Sequence, residues 1–265
     1  MCLIVFAWKV IPGLPLLAAG NRDEFLARPA TAAEWWTSHP QVFAGRDLLA
    51  GGTWMGITRD GRFAAITNIR APSETRSDAP SRGALVADYL GGSMSPAEYI
   101  AGIAPDAARY NGFNLLIGNA QELLWFSNRG DGDERNGKPL EPGIYGISNA
   151  LLDSPWPKVV RAKAQFASLL CQGAPEDTFF DMLSDTTCAS DCRLPDTGVG
   201  LERERMLSPI CIVSPDYGTR VSTLVKLHAD GRAALMERAP APAAHAQQQE
   251  RAAKPGVCCK GFRAT

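Results

Sequence analysis

The chain has 265 residues, of which 45% are hydrophobic and 21% charged, and its formal net charge is −1. This is an ordinary globular composition, and the near-zero charge argues against nucleic-acid binding, which needs a basic face. Seven cysteines at irregular spacings do not form a disulfide pattern, so we expect a reducing compartment, the cytoplasm. No stretch approaches the ~18 consecutive apolar residues of a membrane span, so none is predicted.

The first predicted element is a β-hairpin. Two apolar runs, residues 2–8 and 14–19, are separated by Pro12-Gly13, which is typical of a turn between antiparallel strands. A signal peptide is the alternative for this region. However, no positive charge precedes the apolar run and Lys9 interrupts it, which favours the hairpin.

Hairpins and helices follow in separate groups along the chain. Asp60-Gly61 between apolar runs predicts a second hairpin, and Ser95-Pro96-Ala97-Glu98 predicts a capping box at a helix start. Strands are predicted over residues 52–58, 62–68, 113–117, 123–127, 144–147, 210–214, 222–228 and 233–238. Helices are predicted over residues 82–90, 157–170 and 175–183, and from residue 96. Because the strands pair as hairpins and the helices come in pairs, the fold class is α+β.

The folded unit is expected to end near Arg238. Residues 239–265 are rich in Ala, Pro and Gln and carry four basic residues against one acid. That composition predicts a disordered tail, because it offers too little apolar surface for a core. The sequence thus predicts one domain over residues 1–238 and a tail over residues 239–265.

Cys2 is the first candidate for a catalytic residue, because only Met1 precedes it. Removal of Met1 would leave a thiol and a free α-amine on the same residue. An α-amine, with a pKa of about 7.7–8.0, can act as general base for its own side chain. The alternative is a buried cysteine that acts as a small apolar residue at the start of a strand.

A polar tetrapeptide, Asn21-Arg22-Asp23-Glu24, follows the second predicted strand. Because that strand is antiparallel to the first, the hairpin should return Arg22 and Asp23 to Cys2. A guanidinium lowers the pKa of a nearby thiol, and a carboxylate can orient an α-ammonium. A solvated turn is the alternative interpretation of these residues.

Three more polar residues lie near predicted strand ends. Asn68 and Asn149 each end a strand, where asparagine is common because it favours turns. The functional alternative is that their amides donate to an oxyanion. Arg220 precedes a strand and is either a surface residue or a clamp for a carboxylate or another anion.

Seven motifs in this order resemble the NRDE family, also called the transport and Golgi organisation family, over about residues 1–238. They are Met1-Cys2, Asn21-Arg22-Asp23-Glu24, Gly51-Gly52-Thr53-Trp54-Met55-Gly56, Thr67-Asn68, Asn111-Gly112-Phe113-Asn114, Ser148-Asn149-Ala150 and Tyr217-Gly218-Thr219-Arg220. The family is similar in turn to the N-terminal-nucleophile hydrolases. This resemblance implies a four-layer αββα sandwich of two antiparallel sheets. It also implies a set of catalytic positions, namely Cys2, Arg22, Asp23, Asn68, Asn149 and Arg220.

The resemblance implies one of two functions. The first is hydrolysis of an amide or thioester acyl bond, in which Cys2 attacks the carbonyl and Asn68 and Asn149 hold the oxyanion, without a cofactor. The second is a non-catalytic carrier or chaperone for haem or for acyl-CoA and lipid. In both cases the partner is a small molecule. No metal site is expected, because Cys188 and Cys192 lack a second ligand pair and a nearby histidine.

Overall fold

The computed structural model describes residues 2–240 in full and the backbone of residues 258–262. Its strands in chain order are Cys2–Ile11 (β1), Leu14–Phe25 (β2), Ala30–Trp35 (β3), Val42–Asp47 (β4), Met55–Thr58 (β5), Phe63–Asn68 (β6), Phe113–Gly118 (β7), Leu123–Ser127 (β8), Lys138–Pro139 (β9), Gly143–Ile147 (β10), Tyr217–Leu227 (β11), Ala233–Arg238 (β12) and Cys258–Phe262 (β13). Its α-helices are Arg82–Gly91 (α1), Pro96–Ile103 (α2), Pro157–Cys171 (α3), Glu176–Leu183 (α4) and Leu201–Met206 (α5).

The strands form two antiparallel sheets. One sheet has six strands in the order β10-β1-β2-β11-β12-β13, and the other has seven strands in the order β3-β4-β5-β6-β7-β8-β9. The second sheet is a meander, since every strand pairs with its neighbour in the chain. The first sheet brings both ends of the chain together around the β1–β2 hairpin, which is the part that carries the candidate site.

Three hydrophobic cores define four layers. Alternate residues of β1, Ile4, Phe6 and Trp8, pack between the two sheets. The intervening residues of β1 face α3 and α4, whose Val159 and Phe179 belong to the same core. Helices α1 and α2 cover the outer face of the seven-stranded sheet. This arrangement is the predicted α+β, four-layer αββα sandwich, and the prediction is confirmed.

Local signals in the sequence are also confirmed at two positions. Ser95 accepts from the Glu98 backbone, and the Glu98 carboxylate accepts from the Ser95 backbone, which is the predicted capping box. At the second hairpin, Gly61 has a φ of +83°, a conformation that a residue with a Cβ rarely adopts.

The predicted strand over residues 210–214 is wrong, because that segment is a buried loop. Its backbone groups bond to several separate partners and do not pair with one strand along the segment. The Thr219 amide of β11 donates to the Ile212 carbonyl at 2.9 Å, and the Cys211 amide donates to the Asp185 carbonyl at 2.8 Å. The amide of Asn21 donates to the Ile210 carbonyl at 2.9 Å, and the Ile212 amide donates to Thr219 Oγ1 at 2.9 Å. An apolar segment whose backbone groups bond in this way can be buried as strand residues are, although it is not a strand.

Two further differences concern strand length and the tail. Strand β2 continues through Phe25, so the polar tetrapeptide is part of the strand and not a turn after it. Within the predicted tail, Cys258–Phe262 forms β13 and pairs with β12, whose outer edge would otherwise carry free backbone donors and acceptors. The other tail residues beyond 240 lie outside the described residues.

The described residues also bear on the membrane and disulfide predictions. None of the helices in these residues is long and apolar enough to cross a membrane. The five cysteines in residues 2–240, namely Cys2, Cys171, Cys188, Cys192 and Cys211, are all free thiols.

Candidate active site

The register of the β1–β2 hairpin sets the position of Cys2. Cys2 is the cross-strand partner of Arg22, and Leu3 is the partner of Asn21. On the other side of β1, Ser148 Oγ donates to the Cys2 carbonyl at 3.0 Å. The prediction that the hairpin returns the tetrapeptide to the N-terminus is therefore confirmed.

A cavity of about 470 Å³ lies beside this hairpin. Four of the six predicted residues line it, namely Cys2, Arg22, Asp23 and Asn68. The rest of the wall comes mainly from the loops around residues 47–54 and 76–83. A cavity of this volume can hold a small organic molecule.

Arg22 is held by neighbouring side chains at the cavity wall. Its guanidinium stacks on the Trp54 ring with 4.5 Å to the centroid. Its Nη2 lies 3.4 Å from Asp47 Oδ2 and 3.9 Å from Glu24 Oε2. Arg28 Nε donates to the same Asp47 oxygen at 2.7 Å. Both carboxylates of this group therefore have arginine partners, and Arg22 has a fixed orientation.

Asp23 is fully buried and takes hydrogen bonds from β11. Thr219 Oγ1 donates to Asp23 Oδ1 at 2.7 Å, and Tyr217 OH donates to the Asp23 carbonyl at 3.1 Å. Burial raises the pKa of Asp23, while the charge of Lys158 and the hydrogen bond from Thr219 oppose that rise. The charge on this carboxyl thus depends on its neighbours.

The surroundings of Cys2 do not by themselves produce a thiolate. Burial raises the pKa of the thiol, and the charge of Asp23 adds to the rise, whereas Arg22 lowers it. Because a neutral thiol is a weak nucleophile, this site needs a base. An α-amine on Cys2 would supply that base. Met1, which precedes it, lies outside the described residues.

Asn68 and Asn149 meet at the end of β6. Asn149 Nδ2 donates to the Asn68 carbonyl at 2.9 Å, and Asn149 Oδ1 accepts from Ser148 Oγ at 3.3 Å. Asn68 lines the cavity with Cys2, whereas Asn149 lines a neighbouring one. Asn149 therefore contacts the site through the backbone of Asn68.

Arg220 lies apart from Cys2. Its Nη1 donates to three main-chain oxygens at and just after the end of β2. These are the oxygens of Phe25, Leu26 and Arg28, at 2.8, 2.9 and 3.0 Å. Arg220 lines a second cavity of about 220 Å³ and not the one that contains Cys2. The structure thus brings Cys2, Arg22, Asp23 and Asn68 together, and it gives Arg220 the contacts of a residue that secures a turn.

The sequence interpretation missed a buried group of charges next to Asp23. Arg70 Nη1 and Glu204 Oε2 form an ion pair at 2.5 Å, and Lys158 lines a small cavity with them. Burial lowers the pKa of Lys158 to about 8. Lys158 lies in a predicted helix, where a lysine normally indicates a solvated face, and Glu204 lay outside every predicted element.

Two arginines of the cavity wall, Arg76 and Arg82, were also missed. Arg82 Nη1 donates to the Gly112 carbonyl at 3.0 Å, and Arg76 donates to the carbonyls of residues 108 and 109. Neither forms an ion pair with an acid among the residues that the structure describes. Since guanidinium groups bind carboxylates and phosphates well, this part of the wall is suited to an anionic group.

The described residues contain no group of three or more His, Cys, Asp or Glu that could hold a metal ion. The side chains around Cys2 instead combine one thiol, one buried carboxyl, an amide and several guanidinium groups. Those are the components of acyl transfer by a nucleophile with a stabilised oxyanion.

A family model described as Transport and Golgi organisation 2 matches residues 1–242. The chain belongs to this family. Its Transport and Golgi organisation 2 relatives include homologues from Bos taurus and Homo sapiens, which are 36% and 33% identical over 259 residues. Each match covers 90% of this chain and 92% of the relative. The family membership predicted from the seven motifs is confirmed.

Among solved structures, the fold of this Transport and Golgi organisation 2 member is similar to a Caenorhabditis elegans N-acylethanolamine-hydrolyzing acid amidase ortholog. The TM-score is 0.47 and the identity 10%, with 84% of this chain and 92% of that chain covered. The fold of the chain is given by its own strand pairing and layers.

Proposed function

We propose that the protein hydrolyses an amide or thioester acyl bond with Cys2 as the nucleophile. One observation carries the proposal. The thiol at the second position of the chain lines a cavity of about 470 Å³ together with Arg22, Asp23 and Asn68. The thiol, a guanidinium and an amide side chain then line one cavity, and the buried Asp23 carboxyl follows Arg22 in the same strand.

The reaction begins once Met1 has been removed. The α-amine of Cys2 takes the thiol proton, and the thiolate attacks the carbonyl carbon while the Asn68 amide donates to the oxyanion. The resulting ammonium gives its proton to the leaving amine or thiol, which departs and leaves an acyl thioester on Cys2. The amine then removes a proton from water, the hydroxide adds to the thioester, and the free acid leaves as the thiol is restored.

The other residues support these steps. The Asp23 carboxylate orients the α-ammonium, and Arg22 lowers the cost of a thiolate beside it. Asn149 holds the Asn68 carbonyl, so it fixes the end of β6 from which the oxyanion donor projects. Arg220 secures the segment that follows β2. In this proposal Arg76 and Arg82 bind the polar or anionic end of the substrate.

Steady-state assays with panels of amides and thioesters test the proposal. We expect turnover by protein that lacks Met1 and none by the Cys2→Ala variant. Cys192→Ala removes an exposed thiol outside the cavity and should retain full activity. Turnover that persists in Cys2→Ala, or that depends on Cys192, would contradict the proposed nucleophile.

A carrier is the second candidate, and the arginines of the cavity wall that lack an acidic partner favour it. The same cavity would bind haem, or acyl-CoA or another lipid, by its anionic groups without turnover. Equilibrium titration with hemin and with an acyl-CoA separates the two functions. Tight binding that survives Cys2→Ala, with no hydrolysis by the parent protein, favours the carrier.

We also propose a cytoplasmic location. The five free thiols in residues 2–240 support it, because a reducing compartment keeps cysteines in this form. Imaging of the tagged full-length chain tests this location, and accumulation in an oxidising compartment would contradict it.

A further inference from the structure

Lys158 is a buried lysine that has no role in the proposed reaction. Its side chain is 2% exposed, and its ammonium has no hydrogen-bond partner among the described residues. It lies in the first turn of α3, where the helix dipole disfavours a cation. A bare buried ammonium is costly, and a nearby carboxylate lowers that cost.

Strand alternation shows which acid faces Lys158. Along β2, Leu16 and Ala18 pack between the sheets, whereas Leu17 and Ala19 pack against the layer of α3 and α4. The same alternation directs Asp23 to the helix side. The odd-numbered neighbour Asn21 confirms this orientation, because its amide donates to the carbonyl of Leu183 at the end of α4 at 2.8 Å.

The other acid in this region is already neutralised. Glu204 Oε2 pairs with Arg70, and Glu204 Oε1 accepts from the backbone amide and hydroxyl of Thr197 at 3.0 and 2.5 Å. Asp23, by contrast, accepts from the neutral hydroxyl of Thr219. Lys158 is a cation of the helix layer that can compensate the Asp23 charge, and the Arg70 charge acts in the same direction.

The electrostatics of the two groups agree with this geometry. Burial raises the pKa of Asp23, and Lys158 opposes that rise more than any other group. Burial lowers the pKa of Lys158 to about 8, and Asp23 opposes that fall more than any other group. Each group thus favours the charged form of the other.

We propose that Lys158 is a positioning residue that keeps the Asp23 carboxylate charged from the helix side of the sheet, while Cys2 faces the cavity on the opposite side. This role rests on the proposed function, in which the charged carboxylate orients the Cys2 α-ammonium. Without Lys158, Asp23 holds a proton to higher pH and can no longer hold the ammonium. The lysine itself does not touch the substrate.

The test is a pH titration of the Asp23 carboxyl by ¹³C NMR in full-length protein of one processing state, with the signal assigned by Asp23→Asn. In Lys158→Met we expect the Asp23 midpoint to rise by at least about one pH unit, a tenfold change in proton affinity. Lys158→Arg should restore it. Lys163→Met, on the same helix but paired with Asp153, should leave it unchanged.

A reciprocal measurement covers the case in which Lys158→Met does not fold. In Asp23→Asn, the midpoint of the Lys158 Nζ signal should fall below that of the parent. Both comparisons leave the other titratable or charged residues that act on this pair unmutated. These residues are Cys2, Arg70, Glu204, Cys211 and Tyr217.

The outcomes separate this proposal from the proposed function. An Asp23 midpoint that is equal in Lys158→Met and the parent overturns the role of Lys158, whether or not the parent hydrolyses a substrate. A shifted midpoint with a kcat that falls at unchanged KM supports the role in catalysis. A shifted midpoint in a parent without turnover supports the charge coupling and overturns the hydrolase alone.

Discussion

Neighbouring residues of the polar tetrapeptide have different tasks because side chains alternate along a strand. The side chain of Arg22 shares a face with Cys2, whereas the side chain of Asp23 is buried towards the helix layer and meets Thr219, although both residues line the cavity. The tetrapeptide therefore connects the Cys2 thiol on one face of the sheet with a buried group of charges on the other. A one-residue shift in the β1–β2 register would exchange the faces of Arg22 and Asp23 and would move Arg22 away from Cys2.

In the proposed reaction, the Asn68 amide donates to the oxyanion. Asn68→Ala should lower kcat by about 10²–10³-fold with little change in KM, because the amide acts mainly on charge that develops in the transition state. Steady-state kinetics on the best substrate of the panel measure this. Asn119→Ala removes an amide from a loop outside the cavity and should retain the parent kcat. Equal rates for Asn68→Ala and the parent would remove Asn68 from the mechanism.

Thr219 serves two buried partners through a single hydroxyl. It donates to Asp23 and accepts from the Ile212 amide, so Thr219→Val leaves both without that bond. We expect a loss of about 1–3 kcal/mol in unfolding free energy. Urea unfolding measures this, with Thr75→Val at an exposed site as the matched control. A Thr219→Val protein as stable as the parent would show that neither bond contributes.

Two close contacts join elements that belong to different layers. The loop before β5 lies so close to the start of α1 that a Cβ on Gly52 would come within 2.4 Å of the Gly83 carbonyl carbon. On the other flank, the Glu237 carboxylate of β12 accepts from the Ala33 amide of β3 at 2.6 Å and ties the two sheets together. Gly52 and Gly83 both line the cavity with Cys2, whereas Glu237 lines the second cavity with Arg220.

Gly52→Ala should destabilise the protein and distort the cavity wall. The new methyl group meets backbone and not a flexible side chain, so α1 or the loop must shift. We expect a lower melting temperature and a raised KM. Gly102→Ala is the control, since a Cβ there meets nothing within 4 Å and alanine favours its helix. A Gly52→Ala protein with the melting temperature and KM of the parent would contradict this close packing.

The raised pKa of Glu237 leads us to expect that the stability of the fold depends on pH. Burial raises its pKa to about 7, above its ordinary value of 4.5. The folded state therefore binds the proton of the Glu237 carboxyl more tightly than the unfolded state does. The stabilisation that comes from this tighter binding is lost as pH rises from about 4.5 through 7. Glu237→Gln keeps an acceptor for Ala33 without the charge, so it should exceed the parent at pH 8 by on the order of 2 kcal/mol. At pH 4 the gain should vanish.

Thermal unfolding at the two pH values measures the Glu237 effect. Glu202→Gln, at an exposed position of α5, is the matched control and should behave as the parent does. A Glu237→Gln protein that shows no gain at pH 8 would mean that the carboxylate is well stabilised where it lies.

The sequence predicted the parts of this fold that local chemistry determines. The Pro-Gly and Asp-Gly turns, the capping box and the antiparallel return of Arg22 to Cys2 follow from residues close in the chain. Strands β3 and β4 were missed, and residues 210–214 were assigned wrongly, because their structure depends on distant partners such as Asn21 and Glu237. The proposed charge coupling of Lys158 and Asp23 could not be predicted for the same reason, since it joins α3 to β2.

For the molecule as a whole, the four layers explain how a chain of net charge −1 can hold many charges near one site. The partly buried thiol of Cys2 lines a cavity beside the β1–β2 hairpin, and the buried ammonium of Lys158 lies in α3 of the helix layer. The match to the Transport and Golgi organisation 2 family spans residues 1–242, and this range includes every residue of the candidate site. The candidate site therefore belongs to the family domain and includes none of residues 243–265.

The most direct measurement is intact mass combined with peptide mapping after reaction with an acyl-directed electrophile. We expect active protein to lack Met1, to gain the mass of one acyl group, and to carry that group on Cys2. Cys2→Ala should gain none. Active protein that retains Met1, or an acyl group mapped to any residue other than Cys2, would contradict the claim that Cys2 is an N-terminal nucleophile.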